Sequence, residues 1–249
     1  MRRFEGRTIL ITGAGSGIGK ATALRFGSEG GRVHCADIDG AAAERTATEI
    51  REAGGEAADT RCDVSDPTAV ARTVDGAVER WGALHVLVNV AGIGGFRRLA
   101  DVTFEDWSRF IAVNLTGTFL MCQRAMPHIL KTRGAIINTA SVAGLKSHPY
   151  CAPYCASKGG VVMLTKALAA EFGRKEVRIN CLCPGGIETP MLSQFQLPEG
   201  VPQAALMRIA PLGRHGKPEE VAGTIAFLAS DDATYINGAT ILVDGGMLA

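Results

Sequence analysis

"TILITGAGSGIG", residues 8–19, joins an apolar, β-branched run to four glycines at every second position. The run has the length and composition of a buried strand, and the glycines at its end open a helical pattern. Glycine lets the backbone turn tightly and approach a pyrophosphate, whose charge the free N–H groups of a helix N-terminus stabilise. Gly13, Gly17 and Gly19 therefore predict a dinucleotide-binding βα unit with GxxxGxG spacing, although glycine can serve such turns for steric reasons alone.

Six further apolar runs follow this strand, and helical patterns separate them. The runs are "RVHCA" (32–36), "AADTRC" (57–62), "HVLVNV" (85–90), "AIINTA" (135–140), "VRINCLC" (177–183) and "ATILVDGG" (239–246). Strands that are apolar on both faces and alternate with helices are typical of a covered parallel sheet. We therefore predict one α/β domain over 1–249, a Rossmann-like doubly wound, seven-stranded parallel sheet with helices on both faces. A proline-rich, lid-like substrate segment is expected at about 186–216.

Composition and charge restrict the partners of this chain. Its 249 residues are 47% hydrophobic and carry a formal net charge of +1. Such mixed charge provides no basic stripe for nucleic acid or an anionic membrane. The opening "MRR" precedes an apolar run too short for a signal peptide, and no run reaches membrane-spanning length. We expect a cytoplasmic protein acting on a small molecule, with no nucleic-acid and no membrane partner.

Seven cysteines, an odd number, lie mostly within apolar segments. They are Cys35, Cys62, Cys122, Cys151, Cys155, Cys181 and Cys183. Buried reduced thiols are the favoured interpretation, with Cys151 and Cys155 packing on a helix as small apolar residues. A zinc site would need ligand pairs such as CxxC, and the nearest histidine, His148, has no partner at ligand spacing. We predict no metal.

The second strand ends in "HCADID", which places Asp37 where an acid can bind both adenosine ribose hydroxyls. Its carboxylate would also repel a 2′-phosphate, by roughly 4 kcal/mol per charge pair at ~4 Å and an effective dielectric of ~20, before screening. The sequence therefore favours NAD over NADP. Arg32 on the strand is a candidate for neutralising the 2′-phosphate of NADP. The alternative for Asp37 is that it is an ordinary solvated acid in a turn.

The stretch "YCAPYCASKGG", residues 150–160, contains the pair Tyr-Cys twice, with a lysine shortly after. Pro153 suits a first helical turn, so the helix is expected to begin after Tyr150. Tyr154 and Lys158 then share one helix face. A nearby ammonium would lower the phenol pKa from about 10 and allow proton exchange with an alcohol. The alternative is that this Tyr-Lys pair lies on the surface of the helix and has no catalytic role.

Essentially the whole chain, from "TILITGAGSGIG" to "YINGATILVDGG", resembles the short-chain dehydrogenases/reductases. "TGAGSGIG" is similar to that family's cofactor loop, "CDVSD" to its adenine-contacting acid at Asp63, "AVNLTG" to its asparagine segment, and "NTAS" with "YCASK" to its Ser, Tyr and Lys. The resemblance implies that Tyr154 is the acid/base and that Lys158 lowers its pKa and binds the nicotinamide ribose. It also implies that Ser141 binds the substrate oxygen and that Asn114 holds a water linking Lys158 to solvent.

The resemblance further implies the cofactor contacts. Besides Tyr154 and Lys158, these are Gly13, Ser16, Gly17, Ile18, Gly19, Asp37, Ile38, Asp63, Val64, Asn89, Ala91, Gly92, Pro184, Gly185, Ile187 and Thr189. One segment departs from the family's Asn-Asn-Ala-Gly, because Val90 takes the place of the second asparagine. We expect altered local hydrogen bonding there, and not lost catalysis, since that position has no proton-transfer role.

The lid-like segment and other strand ends offer large apolar residues for a substrate pocket. These are Met191, Leu192, Phe195, Leu197, Leu206, Met207 and Ile209, with Ile93, Phe96 and Leu145. Together with the resemblance they imply an NAD-dependent oxidoreductase that interconverts a secondary alcohol and a ketone on a lipophilic, cyclic or steroid-like skeleton.

Two alternative functions stay open. A 3-oxoacyl-(acyl-carrier-protein) reductase using NADPH belongs to the same family, although Asp37 argues against NADPH. Similar basic residues support it, namely Lys131, Arg133, Arg174 and Lys175. A non-catalytic NAD-sensing or scaffold protein could keep the fold, but the intact set of catalytic residues argues against it.

The helix that follows Tyr154 suggests an assembly. Its sequence "ASKGGVVMLTKALAAEF", residues 156–172, carries small and apolar residues around most of its circumference. A helix of this kind is buried on more than one side. With the resemblance, it implies a homodimer or homotetramer with this helix in the interface.

Overall fold

Seven parallel strands form one sheet in the computed structural model, which describes residues 2–202 and 210–249. The strands are β1 (Thr8–Thr12), β2 (Arg32–Asp37), β3 (Glu56–Arg61), β4 (Val86–Asn89), β5 (Ala135–Thr139), β6 (Arg178–Pro184) and β7 (Thr240–Val243). The helices are α1 (Gly17–Ser28), α2 (Gly40–Glu52), α3 (Pro67–Trp81), α4 (Phe104–Phe110), α5 (Gly117–Thr132), α6 (Ala152–Phe172) and α7 (Pro218–Ala229). Each predicted apolar run contributes one strand, so the predicted fold class is confirmed.

The strand order is β3-β2-β1-β4-β5-β6-β7, and every neighbouring pair is parallel. The chain builds outward from β1 to β3 and then crosses back to place β4 beside β1. In open sheets of this kind, ligands bind outside the carboxyl ends of the strands where the order reverses. Thr12 and Asn89, at the ends of β1 and β4, pair at this reversal point.

Alternate residues of the central strands pack into two separate apolar layers. Ile9 and Ile11 face α1, α2 and α7, whereas Leu10 faces α3 and α5 on the opposite side of the sheet. Side chains on a strand point to alternate faces, so a strand covered on both sides must be apolar at every position. This explains why all five residues of β1 are buried.

None of the helices in the described ranges is both long and apolar enough to cross a bilayer. Across residues 2–202 and 210–249, no group of three or more His, Cys, Asp or Glu side chains is arranged to hold a metal ion. The seven cysteines are free, and Cys155 is the partly exposed one among them.

His34, in the middle of β2, is a buried titratable group that couples this fold to pH. Its side chain is 3% exposed, its Nε2 lies 2.8 Å from the Thr60 hydroxyl, and its ring meets that of Trp81 edge to face at 6.0 Å. Burial lowers the pKa of His34 from 6.5 to about 4, helped by the positive charge of Arg80. The folded state therefore holds this imidazole neutral.

Stability should fall as the solution is acidified through the His34 window. The pKa of His34 is about 4 in the folded state and about 6.5 in the unfolded state, so acid protonates the unfolded chain first. The free energy of unfolding is therefore unaffected by His34 above pH about 6.5 and decreases as the pH falls towards about 4. We expect a loss of about 2 kcal/mol in the free energy of unfolding between pH about 7 and about 4.5, measured by urea denaturation. In His34→Gln, whose side chain does not titrate, the free energy of unfolding should depend less steeply on pH. If its pH dependence is as steep as that of the wild type, His34 is not the group responsible.

Candidate active site

A cleft of about 1090 Å³ opens at the carboxyl edge of the sheet. It runs from the glycine loop after β1, past the ends of β2, β4 and β5, to the start of α6 and the segment after β6. The predicted site residues that line it are Gly13, Ser16, Gly17, Ile18, Gly19, Asp37, Ile38, Asp63, Val64, Ala91, Gly92, Ser141, Tyr154, Lys158, Pro184, Gly185, Ile187 and Thr189. Residues predicted from separate motifs are thus brought to one surface.

The glycine loop forms a cradle that side chains would fill. Gly13 has a φ of 69°, and a Cβ placed on Gly19 would lie 1.9 Å from the Gly13 carbonyl oxygen. The N-cap of α1, Ser16, makes no side-chain cap, and no acid stands in the first turn. By contrast, Asp39 caps α2 through the amide of Ala42. The open amides and positive dipole end of α1 therefore fit a pyrophosphate.

Asp37 is held rigidly beside this loop. Its Oδ2 accepts a hydrogen bond from the Gly15 amide at 2.8 Å, and its Oδ1 accepts one from the Asp39 amide at 3.0 Å. Arg32 stands at the other end of β2, roughly 16 Å away along the strand, where it pairs with Glu56. Arg32 is therefore too distant to neutralise a phosphate near Asp37.

Arg61 is the cation that does stand near Asp37. It is the residue of β3 in register with Asp37 on β2, and its Nε donates to the Ile38 carbonyl oxygen at 3.2 Å. The guanidinium is exposed at the same carboxyl edge as the cleft. At this edge of the sheet the carboxylate of Asp37 and the guanidinium of Arg61 therefore stand side by side.

Asp63 follows β3 and lines the same cleft as Asp37. Its Oδ1 accepts hydrogen bonds from the amide of Ser65 at 2.9 Å and from its hydroxyl at 2.6 Å. This turn fixes the carboxylate at the cleft wall beside Val64. One carboxylate oxygen of Asp63 is thereby committed to the turn.

Asn114 lies behind the cleft wall, in a π-helical turn. Residues Ile111–Thr116 interrupt the helix that α4 and α5 would otherwise form, a distortion that is frequent at functional sites. Asn114 is fully buried; its Oδ1 accepts from the Ile93 amide at 2.8 Å, and its Nδ2 donates to the Ile93 carbonyl and the Ser157 hydroxyl, each at 3.0 Å. A Cβ on Gly92 would lie 3.0 Å from this Oδ1 and 3.4 Å from Lys158 Nζ. Gly92 therefore separates Asn114 from the cleft and brings it close to Lys158.

Ser141 and Tyr154 meet at the far end of the cleft. Ser141 follows β5 and caps a short turn by accepting from the Ala143 amide at 3.1 Å. A Cβ on Gly144 would lie 2.8 Å from the Lys158 backbone, so this turn packs directly on α6. Burial raises the pKa of Tyr154 to about 12, while a hydrogen bond with Ser141 acts in the opposite direction.

Lys158 is buried beneath Tyr154 and hydrogen-bonded to the sheet. Its Nζ donates to the Thr139 carbonyl oxygen at 2.8 Å and lies 6.0 Å from the centroid of the Tyr154 ring. Burial lowers the pKa of Lys158 to about 8. Burial is the dominant effect on the pKa of Tyr154 in this arrangement, and the lowering of that pKa by the ammonium of Lys158 stays a prediction.

Asn89 occupies a different position from the predicted cofactor contact. Its side chain is buried outside the cleft lining, and its Nδ2 donates to the Asn138 Oδ1 at 2.9 Å. Val90, the residue that departs from the family pattern, does line the cleft, and its amide is hydrogen-bonded to the Thr12 hydroxyl at 3.2 Å. Asn89 thus ties β4 to β5, and the backbone at Val90 is secured by β1.

The segment after β6 covers the substrate end of the cleft. Its base is closed by a parallel bridge between Ile187 and Gly216, with the Glu188 amide donating to the Gly216 carbonyl at 2.9 Å. The predicted pocket residues that line the cleft are Ile93, Phe96, Met191, Leu192, Phe195 and Leu197. Leu145 is exposed and outside this wall. Three further predicted residues, Leu206, Met207 and Ile209, lie outside the described residues.

Comparison with known proteins agrees with this geometry. A family model described as enoyl-(acyl carrier protein) reductase matches residues 13–248. The meso-2,3-butanediol dehydrogenase of Serratia marcescens is 43% identical over 99% of this chain and 96% of its own. The chain belongs to the short-chain dehydrogenase/reductase family. Members of this family are oxidoreductases that bind a nicotinamide cofactor.

Two further family members illustrate the range of these relatives. The cyclohexanol dehydrogenase of an Acinetobacter species is 42% identical, over 98% of this chain and 95% of its own. A crystal structure of 3-ketoacyl-(acyl-carrier-protein) reductase from Brucella melitensis, complexed with NADH, has a TM-score of 0.91 and 37% identity, covering 98% of this chain and 99% of that one. Both relatives span nearly the whole chain of this short-chain dehydrogenase/reductase.

Several cleft residues of this short-chain dehydrogenase/reductase were not predicted from the sequence. They are Arg109, His148, Cys151, Gln194, Arg214, His215 and Met247. Cys151 is the N-cap of α6 and is 2% exposed, so it packs against Tyr154 and also faces the cleft. Its position one turn before Tyr154 was the available signal. Arg109 lies on α4, and the others lie outside the helices and strands named above; no motif in the sequence encodes their positions at the cleft.

Proposed function

We propose that this short-chain dehydrogenase/reductase uses NAD to interconvert a secondary alcohol and a ketone on an apolar substrate. The observation that carries the proposal is the convergence of Ser141, Tyr154 and Lys158 at one end of the cleft whose other end is the uncapped N-terminus of α1. The first group can hold and protonate a substrate oxygen, and the second can hold a dinucleotide.

In this proposal Tyr154 exchanges the proton. Its phenolate oxygen takes the proton of the alcohol in oxidation, and the resulting phenol returns a proton to the ketone oxygen in reduction, while Ser141 donates a hydrogen bond to that oxygen. When bound, the nicotinamide accepts the hydride in oxidation and supplies it in reduction. Because burial raises the pKa of Tyr154 to about 12, the phenolate needs the positive charge of Lys158 beside it.

The remaining polar groups hold this arrangement in place. The Thr139 carbonyl fixes Lys158 between the ends of β5 and α6, where it would bind the nicotinamide ribose. Asn114 lies behind Gly92, next to Lys158, and would hold the water that carries protons from Lys158 to solvent. Each of these roles is part of the proposal and follows from the position of the side chain.

The preference for NAD follows from Asp37. Its two backbone hydrogen bonds hold the carboxylate beside the glycine loop, where it can bind the adenosine ribose and repel a 2′-phosphate.

The apolar walls formed by Ile93, Phe96 and Phe195 support a lipophilic substrate. Exposed apolar residues on α6, such as Met163, support a homodimer or homotetramer, and we place the protein in the cytoplasm.

A second candidate is a 3-oxoacyl-(acyl-carrier-protein) reductase. The Brucella relative is such an enzyme and was solved with NADH, so Asp37 alone does not exclude this function. However, the basic residues that favoured an acyl-carrier partner lie elsewhere. These residues are Lys131, Arg133, Arg174 and Lys175. They lie at the ends of α5 and α6, just before β5 and β6 begin, and therefore at the amino edge of the sheet. A carrier docked there would face away from the cleft.

The test is turnover by the purified protein with NAD and, separately, with NADP, followed by nicotinamide absorbance. The panel contains cycloalkanols, hydroxysteroids, vicinal diols, sugar alcohols and 3-hydroxyacyl thioesters. Turnover of apolar alcohols with NAD supports the proposal. Turnover of the thioesters alone would move the acyl reductase to first place, and NADH binding without turnover on any substrate would favour a non-catalytic sensor.

A further inference from the structure

Phe195, in the segment after β6, packs against the ring of Tyr154. Its ring centroid is 5.4 Å from that of Tyr154 at an interplanar angle of 77°, and 5.1 Å from that of Phe96 at 75°. Tyr154 also meets Phe110, at 6.4 Å and 72°. Edge-to-face contacts are a preferred geometry of aromatic pairs. Three phenylalanine rings, Phe96, Phe110 and Phe195, therefore form an aromatic cluster with Tyr154.

Gly94 provides the space that Phe195 occupies. A Cβ placed on Gly94 would lie 2.4 Å from two carbons of the Phe195 ring, so even an alanine would displace the ring. The φ of Gly94 lies outside the left-handed region, and alanine there would cause no backbone strain of that kind. The contact between Gly94 and Phe195 therefore depends on side-chain space and can be removed by substitution at either residue.

Hydrogen bonds on both sides of Phe195 define its position. The Gly94 amide donates to Oε1 of Gln194 at 3.4 Å, and Arg98 Nη2 donates to the Glu199 carbonyl oxygen at 2.6 Å. The same segment is closed at its base by the bridge between Ile187 and Gly216. Phe195 is thus held over the substrate end of the cleft by the loop after β4.

We propose that Phe195, seated on Gly94, sets the size limit of the substrate pocket, so that the preferred substrate is a secondary alcohol carried on a single apolar ring. This inference rests on the proposed function and names its substrate class. A single ring packs its edge against Phe96 and Phe195 while its hydroxyl reaches Tyr154. A fused-ring skeleton, such as a steroid, needs the space that Phe195 fills.

The experiment compares kcat/KM for cyclohexanol and for a 3-hydroxysteroid in the wild type, Phe195→Ala and Gly94→Ala. Both variants should raise the steroid-to-cyclohexanol ratio by about tenfold or more, the scale on which a hydrophobic pocket discriminates by size. Gly94→Ala keeps the aromatic ring and only displaces it, so agreement between the variants identifies the position of Phe195 as the cause. The change should appear mainly in KM, because both variants keep the hydroxyl groups of Tyr154 and Ser141.

Two matched controls separate size selection from general damage. Phe119→Ala removes a half-exposed phenylalanine of α5 outside the cleft, and Gly223→Ala adds a Cβ that meets no atom within 4 Å. Both should leave the ratio unchanged. A ratio that also stays constant in Phe195→Ala, or that moves only in Phe195→Ala and not in Gly94→Ala, overturns the inference.

A binding measurement keeps this inference separate from the proposed reaction. Calorimetric Kd values of cyclohexanone and of a 3-ketosteroid, measured on the protein loaded with oxidised NAD, which has no hydride to transfer to a ketone, give the same ratio without turnover. If the wild type binds both ketones and reduces neither, the proposed reaction fails, while the shift of the Kd ratio in the two variants still decides the role of Phe195.

Discussion

Tyr154→Phe should lower kcat for alcohol oxidation by about 1000-fold, while the variant still binds NADH through the other cofactor contacts. The substitution removes the one hydroxyl that can exchange a proton with the substrate beside Ser141, and positioned acid/base groups contribute roughly 10²–10⁴-fold to rates. The phenyl ring keeps the edge-to-face contacts with Phe110 and Phe195. Initial rates and the Kd of NADH, measured by cofactor fluorescence on the same preparations, check both parts of the expectation.

Tyr150→Phe is the matched control for this experiment. Tyr150 belongs to the first of the two Tyr-Cys pairs but precedes α6, with a φ of 62°, and its ring lies 6.0 Å from the guanidinium of Arg98. It does not line the cleft. Its variant should retain the activity of the wild type. Equal activity in Tyr154→Phe and Tyr150→Phe would sink the acid/base assignment and revive the non-catalytic sensor.

The fold could be predicted from the sequence because its signals are local. Apolar runs such as "TILIT" are buried on both faces, and helical patterns separate the runs, so strands and crossover helices follow from pattern alone. The order of the strands did not follow, since periodicity does not encode which strands become neighbours. That order decides that the ends of β1 and β4 flank the cleft.

The limits of prediction at the site have the same physical cause. Arg61 stands beside Asp37 through the register of β2 and β3, which neither motif contains. Burial raises the pKa of Tyr154, and the spacing of the Tyr-Lys pair contains no information about that burial. Similarly, Asn89 was expected at the cofactor but turns towards Asn138 in the sheet. Local spacing predicts which residues share a face, whereas desolvation depends on the whole fold.

Asp37→Asn should raise the ratio of kcat/KM with NADP to that with NAD by about 100-fold. The amide keeps an acceptor for the Gly15 hydrogen bond and removes the charge that repels a 2′-phosphate. A charge pair at ~4 Å and an effective dielectric of ~20 is worth roughly 4 kcal/mol. Asp37 is half-buried, so solvent and salt reduce this value, and a factor of about 100 is the remainder we expect.

Arg61 provides a second test of the role of Asp37, because its positive charge stands beside Asp37 at the carboxyl edge of the sheet. Once the carboxylate is neutral, the Arg61 guanidinium can pair with the 2′-phosphate, so Asp37→Asn combined with Arg61→Ala should lose most of the gain with NADP. Asp39→Asn, which neutralises the neighbouring acid in the α2 cap, should change the ratio by less than about threefold at its exposed site. A wild type that already prefers NADP, or a ratio unmoved in Asp37→Asn, would show that another group selects the cofactor, and it would return the NADPH-dependent acyl reductase to consideration.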